Sequence, residues 1–159
     1  MNAAAGVGTS SSLRVCAAAF RAAADPVLAD LVGRHRAEMV GPFWMRRSAP
    51  LLLAATGMPG WMGKQFAAPS SADARELVGH NLVDDHGIAE PSLPMTARLG
   101  TSRLDDRSAI VLTYAPDAPF PWRNVVDEVR PVGDGRLLGL SYNIVPGVPV
   151  GAPFLLHRG

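Results

Sequence analysis

The sequence has little of several features that would assign it to a class of protein. Its 159 residues include one cysteine, Cys16, so no internal disulfide can form, which favours a reducing compartment or indifference to redox state, and a cytoplasmic protein is expected. Basic residues number 15 and acidic residues 14, which leaves no surplus of positive charge for a nucleic-acid backbone. No apolar run approaches the ~20 residues of a membrane span. The apolar stretch 15–20 is too short, and has too few basic residues before it, to be a secretory signal.

What remains is a composition typical of a folded domain. Hydrophobic residues make up 48% of the chain and charged residues 18%. This composition is neither that of a disordered chain nor that of a highly charged tail. A strong excess of arginine over lysine, with abundant alanine, glycine and proline, suggests a bacterial source. We expect a disordered lead over residues 1–9 and a single domain over residues 10–159, long enough to bury a core.

Two helices are predicted in the first third of the chain. Ser10–Ser12 offers N-caps for a helix whose apolar residues recur at helical spacing, and this N-terminal helical segment, including a short turn after Asp25-Pro26, spans residues 10–31. A second, short helix is predicted over Ser48–Thr56, ending at Gly57, where it would cross the mouth of a barrel.

After Gly60 the pattern changes to short apolar runs separated by turn residues, which predicts strands. Together with one earlier strand, they lie at about 34–41, 61–67, 75–83, 93–99, 108–115, 122–130, 136–144 and 152–158. The clearest turn is the hairpin at 132–136, with sequence Val-Gly-Asp-Gly-Arg. Eight such strands predict a mainly β fold: a small antiparallel, lipocalin-like (calycin-type) β-barrel whose interior holds one small ligand.

Alternation along the predicted strands places a few polar residues among apolar ones on the inner face. Lys64, the sole lysine, lies between Met62 and Phe66, and Asp127 lies between Val125 and Val129. By the same argument His35, Tyr114 and Tyr142 point inward. In the strand at 75–83 either of the two alternating faces could be the inner one, and His80 points inward on one of them. The predicted catalytic residues are Asp127, Lys64 and Tyr142. The predicted ligand-binding residues are His35, Trp61, Met62, Phe66, His80, Tyr114, Val125, Val129 and Leu140.

Structural interpretations compete with these assignments. Lys64 and Asp127 could form a buried salt bridge without a ligand, and the tyrosines and His35 could be hydrogen-bonded core residues. His80, Asp84 and His86 have a spacing that could suit a metal, but the Asp-Asp-His-Gly segment is more typical of a solvated turn. No phosphate-binding loop or nucleophile elbow occurs, so neither a metal nor a cofactor is predicted.

Several segments together resemble a bacterial lipocalin-like family defined by a Gly-X-Trp-X-Gly motif and an accompanying C-terminal domain of unknown function. The segments span roughly residues 30 to 158 and are Trp61-Met-Gly-Lys-Gln-Phe66, Asp127-Glu-Val-Arg130, Leu138-Gly139 and Phe154-Leu-Leu-His-Arg158. At the motif position this chain has Gly33-Arg-His35-Arg-Ala37, with histidine for tryptophan and alanine for the second glycine. The resemblance implies a lipocalin-like barrel and no particular activity.

Three functions are compatible with these patterns. The first is a cofactor-independent isomerase, cyclase or dehydratase of natural-product biosynthesis, acting on a hydrophobic polyketide- or terpenoid-like molecule. Asp127 would be the general base, and Lys64 or Tyr142 would stabilise an enolate. The second is a non-catalytic carrier of a hydrophobic molecule, with Lys64 holding an acidic head group where the ligand has one. The third is a structural or partner-binding module with a filled barrel. The expected partner is a hydrophobic small molecule, and a homodimer is left open.

Overall fold

The computed structural model of this chain describes residues 6–145 and 149–159, and eight strands form the framework of its fold. The strands are β1 (Gly33–Met39), β2 (Trp61–Phe66), β3 (Leu77–Asp85), β4 (Ile88–Thr101), β5 (Ser108–Tyr114), β6 (Val126–Gly133), β7 (Arg136–Tyr142) and β8 (Ala152–Arg158). Each strand pairs antiparallel with the next, and β8 pairs with β1 to close the barrel. The predicted antiparallel eight-stranded barrel is therefore confirmed.

The barrel interior is filled at one end. Buried apolar side chains from most of the strands pack there, including Phe66, Leu77, Ala97, Ile110, Leu112, Val129, Leu137 and Leu156. Leu31, in the short 3-10 helix Leu28–Leu31 that precedes β1, belongs to the same core. This end of the barrel is the one at which β1 begins and β2 ends.

A second apolar core lies outside the barrel wall, beneath the N-terminal helix α1 (Leu13–Ala22). Ser12 caps α1 by accepting a hydrogen bond from the backbone N–H of Val15, and the helix buries Cys16, Ala19 and Phe20. These side chains pack on outward-facing residues of the sheet: Val40, Ala109, Val132, Leu138, Leu140, Tyr142 and Leu155. Because α1 covers this wall, β7 is apolar on both of its faces.

The second helix, α2 (Phe43–Ala55), is longer than predicted. It begins five residues before Ser48 and contains Pro50. It ends at Ala55, with Thr56 as its C-cap, and Gly57 follows with a φ of +94°. Since α2 joins the end of β1 to the start of β2, it lies at the barrel end opposite the filled core. Within the described residues, no helix has both the length and the apolarity to cross a membrane.

A 3-10 helix changes one predicted strand boundary. Trp122–Asn124 forms a single 3-10 turn, so β6 begins at Val126 and not at residue 122.

The predicted disordered lead, residues 1–9, is corrected in part. Residues 1–5 lie outside the described residues, but the segment that follows packs on the barrel. Val7 is buried in the core beneath α1, and its carbonyl accepts a hydrogen bond from Arg136. The Thr9 hydroxyl donates to Glu38 at 2.6 Å, and the Thr9 carbonyl accepts from the Gly41 amide. These contacts involve a single apolar side chain and a few polar atoms, which explains why the apolar pattern gave no sign of them.

The hairpin between β6 and β7 has the predicted turn chemistry and gives a first prediction. Gly133, Asp134 and Gly135 all have positive φ, at +91°, +54° and +69°. Gly135→Val should lower the free energy of unfolding by at least about 1 kcal/mol, because a β-branched residue is strained in the left-handed region. A Cβ at this position would meet nothing closer than Arg158 Cβ at 3.9 Å, so the loss would come from the backbone alone. Urea-induced unfolding measures it.

Gly135→Asn is the matched control, since asparagine tolerates the left-handed region better than valine does. The Asn variant should lose clearly less stability than the Val variant. Equal losses would mean that side-chain size, and not backbone conformation, limits this position.

Candidate functional site

A cavity of about 530 Å³ occupies the open half of the barrel. Its wall is mainly apolar and comes from α2, from the strand ends and from residues near the β7–β8 connection: Met39, Trp44, Met45, Ala49, Leu52, Leu53, Met58, Trp61, Trp122, Ile144, Val145, Val150, Ala152, Pro153 and Phe154. Four polar side chains line its inner part, namely Lys64, Tyr114, Asp127 and Ser141. A largely apolar cavity with a small group of polar side chains is typical of a small-molecule site.

Lys64 and Asp127 form an ion pair across the barrel interior. Lys64 Nζ lies 3.0 Å from Asp127 Oδ2, and both side chains are 2% exposed. Asp127 Oδ1 accepts a second hydrogen bond from the Ser141 hydroxyl, one strand away in β7. Each charge therefore has its counter-ion, as the burial of both groups requires.

Asn81 connects the ion pair to two aromatic side chains. Its Oδ1 accepts from Lys64 Nζ at 2.9 Å and from Trp61 Nε1 at 3.1 Å. Its Nδ2 donates to the Tyr114 hydroxyl oxygen at 3.0 Å, and Lys64 Nζ lies 3.4 Å from the same oxygen. Together with Ser141, these residues form one continuous network over five strands, β2, β3, β5, β6 and β7.

Aromatic rings complete the surroundings of the ammonium group. Lys64 Nζ lies 5.5 Å from the ring centroid of Trp61, 5.8 Å from that of Tyr114 and 5.6 Å from that of Phe154, all within cation–π range. Burial by itself disfavours the ammonium, but the Asp127 carboxylate and the Tyr114 oxygen outweigh it and raise the pKa of Lys64. Burial also raises the pKa of Tyr114. Both groups keep their protons at neutral pH.

The structure brings four of the predicted site residues together at the cavity. Lys64, Asp127, Trp61 and Tyr114 all line it, within one network. Phe66, Val125 and Val129 face inward as predicted, but they belong to the packed core next to the cavity.

His35 points inward but lies away from the cavity wall. Its Nε2 lies 3.0 Å from the Leu31 carbonyl oxygen, and burial lowers the pKa of the ring. Nδ1 has no hydrogen-bond partner among the described residues. The residue therefore sits as a neutral histidine beside the filled core.

The placement of Tyr142 and Leu140 on the inner face was wrong. Both lie on the outer face of β7, in the core beneath α1, and the Arg103 guanidinium stacks 4.3 Å from the Tyr142 ring centroid. Leu137 and Ser141 are the residues of β7 that face inward. The more apolar face of β7 was predicted to be the inner one. It lies outside the barrel and is apolar because α1 covers it.

Met62 and His80 are also corrected. A β-bulge between Trp61 and Gly63 breaks the alternation of β2, so that Trp61 and Lys64 both contact the interior while Met62 belongs to neither described apolar core nor the cavity wall. In β3 the inner residues are Leu77 and Asn81, so the intervening even-numbered residues, including His80, face outward.

Three further residues, Asn81, Ser141 and Phe154, belong to the site and were not predicted from the sequence. Asn81 had a signal: it is a lone amide on one of the two alternating faces considered for β3. Ser141 and Gly139 share the inner face of β7, where Gly139 leaves room for the Phe154 ring; a Cβ on Gly139 would lie 2.1 Å from Phe154 Cζ. The small residues on this face of β7 therefore indicate that the barrel interior is crowded there.

Among residues 6–145 and 149–159, no group of three or more His, Cys, Asp or Glu side chains is arranged to hold a metal.

Comparisons with known proteins bear on the fold alone. No protein-family model matches this sequence, and no curated protein matches it significantly. A solved structure described as the crystal structure of a protein from Thermomonospora curvata is similar over 90% of this chain and 86% of that chain, with a TM-score of 0.60 and 18% sequence identity. This likeness supports the barrel architecture. The resemblance to the Gly-X-Trp-X-Gly family stays a prediction.

Proposed function

We propose that this protein binds a hydrophobic small molecule in the barrel cavity, with a polar group of the ligand at the Lys64–Asp127 end. The observation that carries the proposal is a cavity of about 530 Å³ whose apolar wall ends in a cluster of four polar side chains. A barrel that served only as a scaffold would gain stability by filling this space, because unfilled apolar volume costs packing energy.

Binding of a neutral, apolar dye tests the proposal. Phenylnaphthylamine should bind to the purified protein saturably and with a rise in fluorescence. Ala152→Phe should weaken this binding by at least about tenfold, because a phenyl ring on the cavity wall overpacks the space that the dye needs. Fluorescence titration gives both affinities.

Ala67→Phe is the matched control for that experiment, since Ala67 is exposed just after β2 and does not line the cavity. It should leave dye affinity unchanged. Failure of the folded wild-type protein to bind the dye would contradict the proposal. Equal affinities in wild type and Ala152→Phe would show that the dye binds elsewhere.

A second candidate is catalysis in the same cavity, as a cofactor-independent isomerase, cyclase or dehydratase acting on a polyketide- or terpenoid-like molecule. The observation that favours it is a carboxylate and an ammonium group 3.0 Å apart, both lining the cavity. In an isomerisation, Asp127 would take a proton from the carbon next to a carbonyl. The Tyr114 hydroxyl would donate to the enolate oxygen, the nearby positive charge of Lys64 would stabilise the enolate further, and Asp127 would return the proton to another carbon.

Isotope exchange separates catalysis from binding alone. Native mass spectrometry of protein purified from its own host identifies any retained metabolite. In D₂O a proton-transferring enzyme should introduce deuterium into that metabolite, and Asp127→Asn should abolish the exchange while the metabolite still appears on the protein. A retained metabolite that gains no deuterium with the wild-type protein would leave isomerisation unsupported and binding intact.

A further inference from the structure

The hydrogen-bond donors of the polar cluster are almost all committed within the protein. The ammonium of Lys64 has three protons, and its partners at hydrogen-bond distance are Asn81 Oδ1, Asp127 Oδ2, the Tyr114 oxygen and, at 3.9 Å, the Met95 sulfur. The Ser141 hydroxyl donates to Asp127 Oδ1. Neither Lys64 nor Ser141 therefore has a proton left for a ligand.

The Tyr114 hydroxyl differs, and the orientation of Asn81 decides why. Trp61 Nε1 and Lys64 Nζ can only donate, so the Asn81 atom that faces both must be its oxygen. The amide nitrogen of Asn81 then faces Tyr114 and donates to the phenolic oxygen. Among the described residues, all hydrogen-bond partners of that oxygen are donors, so the phenolic proton itself has no acceptor.

The charge of the cluster points the same way. The positive charge of Lys64 is balanced by Asp127 and surrounded by three aromatic rings. A carboxylate ligand would bring a second negative charge to a buried site that has no spare cation, which is costly.

We infer that the ligand presents a neutral oxygen acceptor, such as a ketone or ester carbonyl, to the Tyr114 hydroxyl, and that the site discriminates against carboxylates. This inference rests on the proposed ligand binding. It differs from the expectation that Lys64 holds an acidic head group, because that lysine is already neutralised. Tyr114 thus becomes the specificity-determining residue of the cavity.

Three probes of nearly equal size test the inference: acetylnaphthalene, a neutral ketone; naphthoate, an anion at neutral pH; and ethylnaphthalene, a hydrocarbon. Their affinities are measured by displacement of bound phenylnaphthylamine. The ketone should bind about threefold to tenfold tighter than the hydrocarbon, the gain of one neutral hydrogen bond. Naphthoate should bind at least about tenfold more weakly than the ketone.

Tyr114→Phe should remove the preference for the ketone over the hydrocarbon. Tyr142→Phe changes the protein's other tyrosine, outside the barrel wall, and should leave all three affinities unchanged. Tighter binding of naphthoate than of acetylnaphthalene by the wild-type protein would overturn the inference even if Tyr114→Phe does not fold. Equal binding of ketone and hydrocarbon would overturn it too and leave ligand binding standing, whereas no binding of any probe or of the dye would remove the proposed function itself.

Discussion

Lys64→Met is expected to lower the free energy of unfolding by about 3–5 kcal/mol, since it leaves a buried charge without its partner. Asp127 would keep only its hydrogen bond from Ser141, at a site where both members of the ion pair are 2% exposed. Asn81 and Tyr114 would each lose a donor as well. Urea-induced unfolding of the purified variant measures the loss.

The double variant Lys64→Met with Asp127→Leu should recover much of that loss, because it replaces the ion pair by apolar side chains of similar size. Arg98→Met is the control on an exposed ion pair. The Arg98 and Glu76 side chains are 63% and 42% exposed, and Arg98 Nη2 lies 2.8 Å from Glu76 Oε2. Breaking this pair should change the free energy of unfolding little. A double variant less stable than the single one would show that the two residues do not act on stability as a pair.

Arg130→Met should also destabilise by about 3–5 kcal/mol, because a fully buried arginine joins three parts of the chain. Its guanidinium donates to both oxygens of Asp105 at 2.7 Å, to the Phe20 carbonyl in α1 at 2.9 Å and to the Ser108 carbonyl at 2.8 Å. It also lies 4.4 Å from the Phe20 ring centroid. Removing it leaves buried acceptors without donors and loosens the attachment of α1.

The loss of stability caused by Arg130→Met should depend on pH. Hydrogen bonds from Arg130 lower the pKa of Asp105 from 3.8 to about 2. A carboxyl group with a depressed pKa stabilises the fold above its unfolded pKa, and the contribution is lost as pH falls through the folded value. The difference in stability between wild type and Arg130→Met should therefore be constant from neutral pH to about pH 5 and shrink between about pH 4 and pH 2.

Thermal unfolding at neutral and acidic pH measures that difference. Arg107→Met is the matched control: Arg107 also donates to carbonyls at the end of α1, Arg21 and Ala23, but its side chain is 43% exposed. It should lose clearly less stability than Arg130→Met. A difference between wild type and Arg130→Met that stays unchanged down to pH 2 would show that the Asp105 pair does not carry the effect.

The ion pair also ties stability to the proposed function. Lys64 forms an ion pair with Asp127 and donates to the Asn81 oxygen, and this orients Asn81 so that its amide nitrogen donates to the Tyr114 oxygen. A variant that breaks the pair should therefore alter ligand preference as well as stability. The Tyr114→Phe experiment avoids this overlap because it leaves the charges in place.

Much of the architecture was predictable because it depends on local patterns. Alternation and turn residues predicted all eight strands, and the glycines around Asp134 predicted the β6–β7 hairpin, whose positive φ angles agree with that turn chemistry. The inward placement of Lys64 and Asp127 followed from one charge on an otherwise apolar strand face. Burying such a charge requires a partner, so two of opposite sign could be expected to meet.

The composition of the site was less predictable. The direction of a side chain depends on bulges and on covering helices, and the simple alternation of residues along a strand does not reveal either. The bulge in β2 brings Trp61 to the same side as Lys64, three residues apart. Ser141 was missed because the apolar face of β7 was taken as the inner one, and α1 covers that face from outside. The sequence predicted that a short helix crosses the mouth of the barrel, but not which of its side chains line the cavity, since that depends on how the connecting helix packs.

The sequence by itself determined the strands, their antiparallel closure and the two buried charges, because hydrophobic alternation and the cost of an isolated charge act at each position independently of the final packing. Only the tertiary structure decided which face of β7 is inside, how Val7 and Thr9 pack, and which described residues donate to the Tyr114 oxygen. Each of these features depends on which segment, distant in the sequence, covers a surface or supplies a hydrogen-bond partner. Only the packing of the complete chain determines that.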